Sequence, residues 1–215
     1  MQNLMFIGKM CSGKTTLAKS LEVLGYEVIS LADPIKEVVW GMASGLNMVD
    51  LLNSAIFDLV PLTDVQKEEF FRIARETKAL ESEPPKYRER LQFFGTEGGR
   101  NRIDRDIWIK CLLAKVNNNP NKLYALDDCR FVNEYESLKD HFIPVLLHLS
   151  KDEQHSRLEA LYGNYDPKIL THSSELEFEL IKARAVESNK ALEIVSNFDL
   201  DTNTKLLLDK IKGLN

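Results

Sequence analysis

The chain has 215 residues, enough for one sizeable α/β domain with an insert and short for two independent catalytic domains. Hydrophobic residues make up 44% and charged residues 28%, a globular balance that excludes disordered and fibrous classes. The formal net charge of −5 repels a nucleic-acid backbone, so cations that bind phosphate have to be concentrated locally, which suits a small anionic ligand.

Leu4 to Ile7 is a short apolar run ending at Gly8, the pattern of a buried parallel strand feeding a glycine turn. Leu17, Leu21 and Leu24 then recur at helical spacing until Gly25 stops the helix. Val28-Ile29 reads as a second strand, after which Asp33 is placed to cap a helix with Pro34 in its first turn and Ile35, Val38, Val39 and Met42 as its buried stripe. No clear strand follows between Gly45 and Pro85. Thr63 and Gln66 form a capping-box pattern before a helix through Phe70, Ile73 and Ala74, and a further helix carries Tyr87, Leu91 and Phe94. Its other face sets Arg88 and Gln92 one turn apart, in line with Gly95-Thr96. A helix from near Asp104 contains Trp108 and Leu112 and stops at Asn117-Asn118-Asn119-Pro120. Strands are expected near 4-7, 27-30, 123-127, 144-149 and 191-196, and an amphipathic helix through Leu206, Leu207 and Ile211 ends the chain. The pattern predicts one domain over 1-215, a parallel sheet closed to water on both faces, with a helical insert at about 45-100.

Cys11, Cys111 and Cys129 contain no CxxC pair and leave an odd count, which argues against a disulfide framework and for a reducing cytoplasm. The first residues lead straight into the strand with no leader pattern, and no apolar run is long enough to span a bilayer, so a soluble chain without a membrane partner is expected.

Gly8-Lys9-Met10-Cys11-Ser12-Gly13-Lys14-Thr15 satisfies G-x-x-x-x-G-K-[ST] between a strand and a helix, the context in which that pattern binds phosphate. Its glycines let successive N–H groups converge on an anion, Lys14 reaches the outer phosphates, and the Thr15 hydroxyl is a ligand for Mg²⁺. The expected cofactors are therefore ATP and Mg²⁺. A second, acidic contact to the metal is expected from Asp128, at the end of a buried strand, with Asp127 as its rival.

The segment from Arg88 to Arg105 holds Arg88, Arg90, Arg100, Arg102 and Arg105, dense for an acidic chain, and guanidinium groups suit an acceptor that is itself a phosphate ester. Arg90 and Arg102, among acids and polar residues without an evident partner, read as solvated. Arg88 and Arg105 read as ligands, and Arg105 lies one turn before Trp108, whose ring either stacks on a ligand or fills the core. His172, beside Ser173, is open between a functional group and a helix-start residue. Lys151 to Glu175 contains Arg157 and Lys168, with Gly163 and Pro167 as flex points, and reads as a lid at 151-175 that excludes water from the triphosphate, with Arg157 in a transition-state role.

Taken together, the P-loop with Thr15-Thr16, Leu31-Ala32-Asp33-Pro34-Ile35-Lys36, Leu91-Gln92-Phe93-Phe94-Gly95-Thr96 with Asp104-Arg105 and Trp108, and Asp128-Cys129-Arg130 with Glu134 resemble the bacteriophage deoxynucleoside monophosphate kinases, within the P-loop nucleoside monophosphate kinase group. The likeness spans most of the chain and departs from the family between Gly45 and Pro84, where some relatives carry residues that contact the base. It implies the three-layer α/β/α P-loop NTPase fold, with ATP along Lys9 to Thr16. It also implies a monophosphate cleft lined by Ile35, Lys36, Arg88, Gln92, Gly95, Thr96, Arg105, Trp108, Asp128, Arg130 and Glu134. Catalysis would be positioning and charge neutralisation by Lys14, Mg²⁺ and arginines such as Arg105, Arg130 and Arg157, with Asp128 at the metal. The expected partner is a small-molecule nucleoside monophosphate, with no nucleic acid; a homodimer is an open possibility, and a phage origin would place the chain in a host cytoplasm. Other P-loop small-molecule kinases, resembling phosphomevalonate or dephospho-coenzyme A kinases, and a nucleotide-dependent regulatory ATPase are the competing readings.

Overall fold

The structure, a computed structural model, describes residues 2–81, 87–165, 170, 173–196 and 199–213. The chain divides into two compact units, residues 1–30 with 121–215, and residues 31–120.

The first unit holds all five strands: β1 (Leu4–Gly8), β2 (Tyr26–Ile29), β3 (Leu123–Leu126), β4 (Ile143–His148) and β5 (Leu192–Val195). They form one parallel sheet in the order β2-β3-β1-β4-β5. Leu4 lies in register with Ala125 on one side and Ile143 on the other. Pro144, which cannot donate to a ladder, stands near the start of β4, where a missing N–H costs least. Leu4, Phe6, Ala125, Val145, Leu147 and Ile194 face one layer of helices. Leu17, Ala18 and Leu21 of α1 (Lys14–Ser20) and its C-terminal end pack there, with Leu207 and Ile211 of α10 (Leu200–Lys212). By the two-residue period of a strand Met5, Ile7, Leu126 and Leu146 point the other way, and they are buried as well. Helices α7 (Val132–Leu138) and α9 (Ser173–Glu187) pack on one another, and α8 (Lys151–Tyr162) completes the unit. The expected closure of both faces fails at the edge: Glu193 and Val195 alternate outward on β5, and Val195 is 73% exposed.

β1 lies between β3 and β4, while the chain visits β2 and β3 on one side before crossing to β4 and β5. That reversal is the topological switch point, where ligands collect beyond the carboxyl ends of the strands. Gly8 ends β1 at that place.

The second unit is helical: α2 (Asp33–Ala43), α3 (Met48–Leu52), α4 (Asp64–Ala79), α5 (Arg88–Gln92) and α6 (Ile107–Asn118). Its core gathers Ile35, Val38, Val39 and Met42 of α2 with Leu51, Leu52, Ile56, Phe70, Ile73, Phe94 and Trp108. The capping box at α4 forms as its sequence predicts, Gln66 N–H donating to Thr63 Oγ1 and Thr63 N–H to Gln66 Oε1. Asp33 does not cap α2: the helix begins at Asp33 itself, Ala32 holds the cap position, and no side chain caps it. The helix expected through Phe94 also changes character. After Gln92 the chain widens into i→i+5 winding over Phe93–Ile103, so the 3.6-residue spacing that aligned Arg88, Gln92 and Gly95 ends at Gln92. Gly98 and Gly99 let this segment pack closely, since a Cβ there would collide with Ile73 and Trp108. Among the described residues no helix is long and apolar enough to cross a membrane.

Candidate functional site

The loop after β1 is ordered by what its carbonyls do. Lys14 Nζ donates to Gly8 O at 2.6 Å and Lys9 O at 2.9 Å. Gln154 Nε2 donates to Met10 O at 3.1 Å, Arg157 Nη1 to Cys11 O at 3.1 Å, and Ser196 Oγ to Ser12 O at 2.8 Å. Five consecutive acceptors are thereby satisfied by side chains. Each carbonyl shares a rigid plane with the following N–H, which points the opposite way. The N–H groups of Cys11 and Gly13 donate to no group among the described residues, and together with the first turn of α1 they supply donors for an anion. The curl is sterically specific: Gly13 has φ 86°, a Cβ on Gly8 would lie 2.5 Å from Ser12 Oγ, and Cys11 holds φ 63°.

Lys14 is only 8% exposed. Burial, reinforced by the like charge of Arg130, lowers its pKa to about 8, against the pull of Glu175, Asp127 and Cys11. Thr15 and Thr16 are exposed on α1. Burial pushes the Cys11 thiol up, against Lys14 and Arg157, and pushes Cys111 to about 12. All three cysteines are free.

Beyond β3, Asp127 N–H donates to Ile29 O, and Ser30 Oγ donates to Asp128 Oδ2. Ser30 is buried and Asp128 half-buried, so the hydroxyl occupies one carboxylate oxygen and fixes the other's direction. Glu134 is 2% exposed, and its Oε2 accepts from Arg130 N at 2.8 Å and Phe131 N at 3.1 Å, capping α7 and shaping the Asp128–Arg130 turn. The Arg130 side chain is exposed. Among the described residues no cluster of three or more His, Cys, Asp or Glu side chains is placed to hold a metal. Mg²⁺ does not require such a cluster, since it usually takes one or two protein oxygens and the rest from phosphate and water.

Arg157 stands on α8 with its side chain 11% exposed, tied to Cys11 O, Ser196 and Glu153. It braces the loop at Cys11. It also lines the cavity of about 360 Å³ beside the loop, together with Cys11, Gly13, Thr16, Leu17, Leu147, Ala160, Leu161, Leu200 and Asn203 among others. The lid expected at 151-175 falls partly on α8; Pro167, Lys168 and His172 lie outside the described residues. Sequence reasoning missed Ser30, Gln154, Glu175 and Ser196. Three of these reach the loop from at least 144 residues away, and only the position of Ser196 just past β5, at the carboxyl edge of the sheet, could have signalled a role.

In the second unit the expected acceptor residues separate into two groups. Ile35, Gly95 and Trp108 are packing residues. Trp108 is 1% exposed, its Nε1 donates to Gly95 O at 2.7 Å, and its ring contacts Phe70 and Phe94. A Cβ on Gly95 would press on Ile35 Cδ1 at 2.8 Å. Trp108 therefore fills the core, and Arg105 one turn earlier is exposed and does not stack on it. Arg88, Gln92 and Thr96 are exposed as well, and Lys36 lies 3.4 Å from Asp33. The two arginines expected to be merely solvated have structural partners. Arg90 donates to the Lys78 and Leu80 carbonyls at the end of α4 and lies over the Tyr87 ring. Arg102 pairs with Glu69 and Glu76 at 2.6 Å each; hydrogen bonds from Arg72 and then Arg102 hold the Glu69 carboxyl below its usual range, and the bond from Arg102 does so for Glu76.

No family model matches the chain, and no curated protein matches it. Solved structures do resemble it. TT1252 from Thermus thermophilus is 17% identical, covering 99% of this chain and 98% of that chain with a TM-score of 0.53. A dephospho-CoA kinase from Campylobacter jejuni is 13% identical over 100% of this chain and 97% of that one, TM-score 0.49. A gluconokinase from Sinorhizobium meliloti 1021 is 16% identical over 99% and 93%, TM-score 0.45. The five parallel strands, the loop after β1 and the likeness to the first of these establish the three-layer α/β/α P-loop fold.

Proposed function

We propose that the chain is an ATP-dependent phosphotransferase acting on a (deoxy)nucleoside monophosphate. The observation that carries the donor half is the loop from Gly8 to Thr16, whose carbonyls from Gly8 to Ser12 are each occupied by a side chain while the Cys11 and Gly13 N–H groups donate to no group among the described residues. The neighbouring cavity, with apolar walls from Leu161 and Leu200 and polar groups from Thr16 and Asn203, suits the adenine base. Mg²⁺ would be held by Thr15 and Asp128 and would supply charge neutralisation at the outer phosphates.

The acceptor half rests on the resemblance in Asp128-Cys129-Arg130 and in the second unit. We assign monophosphate recognition to Lys36, Arg88, Gln92, Thr96, Arg105 and Arg130, whose side chains offer charge and hydrogen bonds. Ile35, Gly95, Trp108 and Glu134 support them through packing and capping. Transfer needs no covalent protein intermediate: an acceptor phosphate oxygen bonds to the γ-phosphorus of ATP as the bond to ADP breaks, giving the nucleoside diphosphate and ADP.

The test is incubation with ATP and Mg²⁺ against each deoxy- and ribonucleoside monophosphate in turn. The expected product is the matching diphosphate from at least one of them. ATP hydrolysis indifferent to every monophosphate would overturn the assignment in favour of a regulatory ATPase.

A further inference from the structure

Three hydrogen bonds close a ring at Met10 of the phosphate loop. Met10 N–H donates to Glu175 Oε1 at 2.9 Å, Gln154 Nε2 donates to Glu175 Oε2 at 3.0 Å, and the same nitrogen donates to Met10 O at 3.1 Å. Gln154 is buried on α8 and Glu175 comes from the first turn of α9, so two separate helices grip one residue of the loop. The plane containing Met10 C=O also contains Cys11 N–H, and a flip of that plane would exchange an inward donor for an inward acceptor. The flip is a real hazard, because the next residue, Cys11, is a non-glycine at φ 63°, a conformation that persists only where its surroundings impose it.

We propose that Gln154 and Glu175 are positioning residues for nucleotide binding, holding the Met10 peptide so that Cys11 N–H is aimed at the donor phosphates. Gln154 acts directly on the Met10 carbonyl. Glu175 anchors both the Met10 amide and the Gln154 carboxamide, and its side-chain length allows it to do both at once. The assignment rests on the ATP-binding reading of the loop, and it extends that site to two helices outside the motif.

The Cys11 N–H addresses phosphate and not the base, which gives a readout that a purely structural contact would not move. Gln154→Met keeps volume and helix propensity while removing the donor; Glu175→Gln keeps shape while removing the charge. Isothermal titration with ATP and Mg²⁺ is expected to show about 10-fold weaker binding for each variant. Adenosine, which carries no phosphate, should bind both variants as it binds the wild type. Circular dichroism establishes that each variant is folded, and either folded variant is sufficient for the comparison. Wild-type protein that binds no ATP would remove the nucleotide reading together with this inference. Wild-type ATP affinity in a folded variant, or an equal loss for ATP and adenosine, would overturn the inference and leave the nucleotide reading standing.

Discussion

The Lys14 ammonium lies within 2.9 Å of two loop carbonyls, yet burial and Arg130 lower its pKa from 10.5 to about 8. At about 1.4 kcal/mol per pH unit, that depression is a folding cost on the order of 3 kcal/mol. The cost is fully present below pH 8, where both folded and unfolded chains carry the proton. Between about 8 and 10.5 the unfolded chain binds more protons, so stability rises with pH. Wild-type protein should therefore gain resistance to urea from pH 8 to 10, and Lys14→Met should lack that gain; equal slopes for the two proteins would contradict the assignment. Ligand binding responds in the opposite sense. ATP affinity is expected to fall as pH rises through about 8, and binding near that pH should take up about half a proton, rising toward one about a unit higher, measurable as a buffer-dependent titration heat. Lys14→Met should abolish binding outright.

At the scale of elements, the segment from Arg88 to Trp108 is where physical expectation and structure part company. Spacing at i and i+4 placed Arg88, Gln92 and Gly95 on one face, but the i→i+5 winding after Gln92 rotates the later residues off that face. A neighbouring arginine drew Trp108 toward a ligand role, whereas the indole N–H has a partner in Gly95 O and its ring a place beside Phe94. Trp108→Phe is accordingly expected to lower stability by about 2 kcal/mol, through the lost hydrogen bond and unfilled volume. A variant with unchanged melting temperature and impaired acceptor affinity would restore the ligand role. Glu134 is the parallel case at the start of α7. Glu134→Ala leaves two backbone donors without their charged acceptor, and a loss of about 2 kcal/mol in thermal or urea unfolding is expected. A loss under 0.5 kcal/mol would show that the carboxylate does not cap the helix. What was legible here was local: the Thr63–Gln66 box has both its partners within three residues.

For the whole molecule, β1, β3 and β4 were legible as near-continuous apolar runs too short for a helix and bounded by turn residues, whereas β5 alternates buried and exposed residues at the edge of the sheet. The donor loop was legible because its glycines and lysine act within eight residues. Its supports were not: Gln154, Glu175 and Ser196 contact it across separations of 144 to 184 residues, and no local pattern encodes such a meeting. The first unit and the helical unit each possess a core of their own. ATP at 100-fold excess over Kd should stabilise the first unit by about 2.7 kcal/mol, read as slower amide exchange in β1, α1 and β5. Exchange in these elements that ignores ATP would exclude the loop as its site.

The five occupied carbonyls from Gly8 to Ser12 also bear on kinetics. A cradle held from outside by Gln154, Arg157 and Ser196 behaves as a rigid mould, and its cargo need not build it. Nucleotide arrival then trades two lysine contacts for phosphate contacts without any ordering step beforehand. Stopped-flow association should accordingly give an observed rate linear in ATP concentration with no plateau, whereas a loop assembled around its ligand would saturate at the rate of its own rearrangement.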